Sequence, residues 1–173
     1  MVVKKASQQH IAPVMEIWKE KDRSLGLTVY GDSMRPLINP GDRISLRLMD
    51  AVLLKRGDII AFREGNHLVV HRFIRKKMVN GTWMFCQKGD NLRGWSWLQE
   101  DRIVGKVESI RRQGRILCLE RWYWLCINQM LGLAYFAWIV GYEKARGVKI
   151  FIFGSGPIWL LSRIGRRHRH KKE

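Results

Sequence analysis

Four short stretches of this 173-residue chain hold residue types able to do chemistry together. The first is Gly31-Asp32-Ser33-Met34-Arg35-Pro36, followed by Pro40-Gly41-Asp42. A serine on a glycine-flanked turn after a strand can expose its hydroxyl, and its own N–H can face the same reacting carbonyl. The second is Gly57-Asp58-Ile59-Ile60-Ala61-Phe62, and the third is Val70-His71-Arg72-Phe73-Ile74, a histidine inside an apolar strand. The fourth, Lys88-Gly89-Asp90-Asn91, is a polar turn directly after a strand. A serine hydroxyl needs a base to attack an amide at neutral pH, and an imidazole titrating near about 6.5 suits that task. Each residue also has an ordinary use. Ser33 and Asp90 are common turn residues, Asp42 and Asp58 can brace turns, and His71 can be a satisfied histidine of a half-buried strand.

The elements that must position these stretches change along the chain. Residues 1–25 read as a short amphipathic helix, with Ile11, Val14, Met15 and Trp18 at helical spacing. Lys4 and Lys5 run into Ser7-Gln8-Gln9-His10, so no secretory leader is expected there. Residues 26–117 read as a β-module of about six or seven short strands, with turn signals at Glu64-Gly65-Asn66, Asn80-Gly81 and Gln113-Gly114. Residues 118–173 form a hydrophobic, membrane-associated helical region. Within it, residues 122–142 carry no charge, and as a helix they would extend roughly 31 Å, about the thickness of a hydrocarbon core. Trp122, Tyr123 and Trp124 at one end and Trp138 and Tyr142 at the other resemble interfacial belts. The uncharged run 150–162 is too short to span and reads as re-entrant or interfacial. The fold class is mainly β, with a short N-terminal helix and a C-terminal hydrophobic helical membrane region.

The hydrophobic fraction of 46% excludes wholesale disorder. Three cysteines without metal-site spacing indicate neither a disulfide framework nor a zinc site. The net charge of +17 calls for an anionic partner. Residues 1–116 carry 22 basic and 12 acidic residues, and residues 117–173 carry 10 and 3, so charge is densest beside the apolar runs. That pattern favours a membrane with anionic lipids over nucleic acid, which would want aromatic and basic residues interleaved on the β-module.

The four boxes, in this order, resemble the type I signal peptidases and the related self-cleaving repressor peptidases. The resemblance covers about residues 27–107. It implies Ser33 as nucleophile, His71 as general base and Asp90 as the group that orients or charges the base. Bacterial signal peptidases carry a lysine where this chain has His71, so the sequence looks closer to the Ser-His type of archaea and the endoplasmic reticulum. His67 is the reserve base by its two-residue periodicity with His71, and Lys76, Lys77 and Lys88 are the bases to test in a Ser-Lys arrangement. Gly31 stands where many relatives have a hydroxyl residue, so the resemblance leaves the oxyanion to backbone N–H groups. The family's usual N-terminal anchor is replaced here by C-terminal apolar segments.

The resulting expectation is a membrane-associated serine endopeptidase cleaving signal or leader peptides, with no metal or organic cofactor. Two other readings stand beside it: a cytoplasmic-face processing or self-cleaving protease, and a non-catalytic binding protein on anionic membrane. The side of the membrane is left open. Six cations in the 20 residues before Trp122 and three in the 20 after Tyr142 would hold the module cytoplasmic.

Overall fold

The computed structural model describes residues 24–153, with side chains over residues 24–147. The helix expected over 1–25 lies outside the described residues, apart from Ser24 and Leu25, which open the first strand. Eight strands follow among the described residues: β1 Ser24–Thr28, β2 Arg43–Leu48, β3 Ile59–Glu64, β4 His67–Val79, β5 Thr82–Lys88, β6 Ser96–Gln99, β7 Ile103–Arg112 and β8 Arg115–Cys118. They form one curled antiparallel sheet in the order β1-β2-β7-β3-β4-β5-β6, with β8 also paired to β7. Strand β6, only Ser96-Trp97-Leu98-Gln99, lacks the β-branched run that would announce it.

The hairpins form where turn chemistry requires them. Asn80 and Gly81 both have positive φ, as do Gln113 and Gly114, the pairing that a two-residue turn needs to match strand twist. Alternation along β2 buries Ile44, Leu46 and Leu48, and these join Val29, Met34, Ile38, Val107 and Ile110 in one core cluster. A second cluster of Ile60, Phe62, Val69, Phe73 and Phe85 lies under β3, β4 and β5. The loop that carries Ser33 is therefore pinned by Met34 and Ile38, both fully buried.

Helix α1 spans Trp122–Phe153, and within it Trp122–Gly147 is long and apolar enough to cross a membrane by length and composition. It does not stop at Tyr142, because Glu143-Lys144-Ala145-Arg146 are good helix formers and no proline intervenes. The contacts group residues up to Phe136 with the sheet and begin a second unit at Ala137. In the first unit the helix meets the sheet through glycines: a Cβ on Gly132 would come within 2.9 Å of Gly57 Cα, and one on Gly57 within 2.2 Å of the Asn128 carbonyl oxygen.

Candidate active site

Ser33 heads the turn after β1, and its side chain is buried together with His71 of β4. The loop around Ser33 is tied at several points. Arg35 N–H donates to the Asp32 carbonyl at 3.0 Å and Ile38 N–H to that of Met34 at 3.0 Å. Asp42 closes the loop by accepting from Asn39 N–H at 2.8 Å and from the Arg112 guanidinium at 2.9 and 2.6 Å. Burial alone would raise the Asp42 carboxyl; the Arg112 and Asn39 hydrogen bonds outweigh it and hold it below the usual carboxylate range.

His71 Nε2 lies 3.1 Å from Ser33 Oγ, although 38 positions separate the two residues. The other ring nitrogen, Nδ1, is 2.5 Å from Gln87 Oε1. Because Gln87 offers a carbonyl there, Nδ1 carries the proton and Nε2 presents its lone pair to the serine hydroxyl. Gln87 in turn donates its amide to Ser96 Oγ at 2.5 Å, so both ends of the amide are engaged. Burial pushes the His71 pKa down, partly offset by the Gln87 hydrogen bond, so the imidazole is neutral and able to accept a proton at neutral pH.

A buried serine within hydrogen-bonding reach of a neutral histidine is the arrangement of an activated nucleophile. Residues 2–86, which include both, match the family model for Peptidase S24-like proteins. Over this stretch, just under half of its length, the chain is similar to peptidase S24-like proteins. The match supports a serine peptidase of the signal-peptidase and self-cleaving-repressor type. No curated protein matches the chain.

The expected third residue, Asp90, makes its hydrogen bonds elsewhere. Asp90 does not reach the imidazole: Oδ1 and Oδ2 accept from Arg72 Nε and Nη2 at 2.9 and 2.6 Å. Consecutive residues on a strand point to opposite faces, so His71 and Arg72 enter different networks. Arg72 is fully buried, and its Nη1 also donates to the carbonyl oxygen of Gly57 and to Asn128 Oδ1, each at 2.8 Å. Asn128, one of the two strongly polar side chains of the uncharged run, is thus used inside the protein.

The other candidate bases are also committed elsewhere. His67 is exposed, four strand positions and roughly 13 Å from His71. Lys76 Nζ donates to the Val52 carbonyl at 2.7 Å, and Lys77 lies 4.3 Å from the Trp97 ring centroid. Lys88 is buried, which pushes its pKa down; its ammonium donates to the Gly89 carbonyl at 2.9 Å and to that of Leu92.

Gly89 permits the closest approach in the site. A Cβ there would sit 2.8 Å from the Ser33 carbonyl oxygen and 3.0 Å from His71 Nε2. The same loop braces Ser33, since Asn91 N–H donates to the Ser33 carbonyl at 2.8 Å. The Gly-Asp-Asn box therefore shapes the site through its backbone, while its carboxylate serves Arg72. Reading the residues singly misses Gln87, Arg72 and Asn128. The available signal was the pair Gln87-Lys88 ending an apolar strand, two polar side chains with no turn of their own.

Proposed function

We propose that the chain is a membrane-associated serine endopeptidase acting on polypeptides that carry a signal or leader peptide, with Ser33 as nucleophile and His71 as general base. The 3.1 Å contact between Ser33 Oγ and His71 Nε2 carries this reading. Ser33 Oγ attacks the scissile carbonyl while its proton passes to His71 Nε2. The resulting oxyanion is met by backbone N–H groups, that of Ser33 among them. His71 then protonates the leaving amine, and the acyl-ester on Ser33 is hydrolysed by a water that gives its proton to the same nitrogen.

Attachment to a bilayer containing anionic lipids belongs to the same proposal. One face of α1 is used on the sheet through Asn128 and Gly132, while Trp122, Ile127, Met130 and Leu133 are exposed. Large apolar side chains exposed together beside a basic sequence fit an interfacial membrane contact.

The test is cleavage of a membrane-targeted precursor with small residues at its cut site, by wild type and Ser33→Ala in detergent. Cleavage by wild type alone supports the reading; equal cleavage by both removes it. The charge bias before Trp122 favours a second reading, in which the module works at the cytoplasmic face on a dedicated leader or on itself. Cys86 is buried and unsuited to report topology. An Asn66→Cys label on the exposed β3–β4 turn, placed in a Cys118→Ser/Cys126→Ser background because those thiols are themselves accessible, serves instead, and its labelling by an impermeant thiol reagent from outside intact cells would remove the cytoplasmic reading.

A further inference from the structure

The dyad is held by an uncharged partner, and this deepens the serine-peptidase reading on which it rests. We infer that Gln87, locked by Ser96, is the positioning residue of the reaction, fixing His71 in its Nδ1–H tautomer through a neutral amide in place of a carboxylate. Three observations carry the inference. The Gln87 side chain is buried and reaches Nδ1 at 2.5 Å. Its amide nitrogen meets Ser96 Oγ at 2.5 Å while its carbonyl oxygen faces the imidazole, so both ends of the amide are engaged. The carboxylate expected to serve the imidazole, Asp90, has both oxygens on Arg72.

The wrong tautomer would present N–H, not a lone pair, to the serine, and no proton could be accepted. A neutral amide selects the tautomer as a carboxylate does, but it leaves the imidazolium without an adjacent counter-charge. The charged groups around His71 are the Glu64 carboxylate on β3, the Arg72–Asp90 ion pair, the Lys88 ammonium on β5, and Asp32 and Arg35 on the nucleophile turn. The Phe62 ring, 5.7 Å from the imidazole, adds apolar surface. Burial outweighs the raising effects of Gln87, Glu64 and Asp90 and holds the His71 pKa below its ordinary value.

The experiment compares wild type, Gln87→Ala, Gln87→Glu and Ser96→Ala in the full chain. Histidine ring 15N NMR follows tautomer and titration, with the His71 signal identified by its loss in His71→Ala. Precursor cleavage across pH is measured alongside. Wild type should show the Nδ1–H form. Gln87→Ala should mix the tautomers and lower kcat about 10–100-fold with KM nearly unchanged, the effect of one lost buried hydrogen bond on the base. Gln87→Glu should raise the His71 titration, and the acid limb of kcat/KM with it, by about one pH unit, the effect of an adjacent opposite charge. Ser96→Ala should reproduce a weaker form of the Gln87→Ala change and covers the case in which a Gln87 variant does not fold.

An unchanged tautomer in Gln87→Ala or Ser96→Ala, or an unmoved titration in Gln87→Glu, would overturn the inference. The NMR readout stands apart from catalysis. Wild type that cleaves nothing while showing these tautomer shifts would count against the peptidase reading and leave the positioning of His71 supported.

Discussion

His71 and Arg72 are adjacent on β4 and end in opposite kinds of network. His71 lies in an uncharged chain, Ser33–His71–Gln87–Ser96. Arg72 lies in an ionic one, clamped by Asp90 and shared with Gly57 and Asn128. A strand's alternation separates them to two faces. The separation keeps the fixed ion pair in the scaffold and leaves only neutral hydrogen-bonding groups in the Ser33–His71 network. It also joins the site to the helix. Asp90 belongs to the loop that braces Ser33, and Asn128 belongs to α1, so one guanidinium touches both.

The largest effect should fall on the neutral side. Ser33→Ala and His71→Ala are each expected to lower kcat/KM by about 10⁴-fold, the scale of losing a member of a serine-histidine pair. Ser33→Ala should leave the denaturant midpoint nearly in place, because a hydroxyl is exchanged for hydrogen in an otherwise intact turn. Residual precursor cleavage above a hundredth of wild type would remove the pair from the mechanism. The ionic side should behave in the converse way. Arg72→Met leaves the Asp90 carboxylate buried without its partner, a change that costs about 3–5 kcal/mol. Arg72→Met with Asp90→Asn should recover part of that loss, since no charge then remains unpaired. Equilibrium unfolding in urea measures both, and a wild-type midpoint for Arg72→Met would mean that the ion pair does not clamp the fold.

The comparison also marks what was legible in the sequence. Ser33 and His71 could be paired because their types are restrictive: a serine on a Gly-Asp-Ser turn and a histidine in an apolar strand have few other joint uses. The mainly β sheet followed from alternation and from Asn80-Gly81, and its family from the order of the boxes. Asp90 was read as the partner of His71 because carboxylates serve that role in the resembled family. Whether a carboxylate faces the imidazole or the neighbouring guanidinium depends on which way β4 twists past the Gly89 loop, and spacing carries no information about that. Gln87 was overlooked because a neutral amide announces nothing until its burial is known. Asn128 lies in the run 122–142, whose lack of charge says nothing of the acceptor that its side-chain oxygen provides for a buried arginine.

A smaller change sharpens the boundary between the two networks at Gly89, where they meet. Gly89→Ala adds a methyl group 3.0 Å from His71 Nε2 and 2.8 Å from the Ser33 carbonyl oxygen. The backbone oxygen cannot give way as a flexible side chain would, so the loop or the imidazole must shift by a few tenths of an ångström. We expect kcat/KM to fall about 10–100-fold, the penalty for a small misplacement of reacting groups, with the Arg72–Asp90 pair and the unfolding midpoint little altered. If stability falls as far as in Arg72→Met, the two networks form one unit and are not separable.

The smallest expected effect is the pH dependence of stability, and its sign distinguishes the two kinds of site. Burial sets the folded pKa of His71 below its ordinary value of about 6.5. As pH falls through 6.5 the unfolded chain takes up this proton while the folded protein does not, so stability declines with falling pH until the folded pKa is reached. Asp42, whose carboxyl is held low against the pull of burial by Arg112 and Asn39, acts in a lower window. Its contribution is intact above the unfolded pKa of about 3.9 and is lost as pH falls through the folded value. Urea midpoints between pH 7.5 and 5 should therefore fall with falling pH in wild type and less so in His71→Gln, while Asp42→Asn should lower the midpoints across that range without changing their slope and alter the slope only below about pH 4. An identical slope for wild type and His71→Gln would show that the imidazole takes up its proton equally well in both states. The base of the site would then be no more acidic than a histidine in water, and the neutral network around it would offer no advantage at low pH.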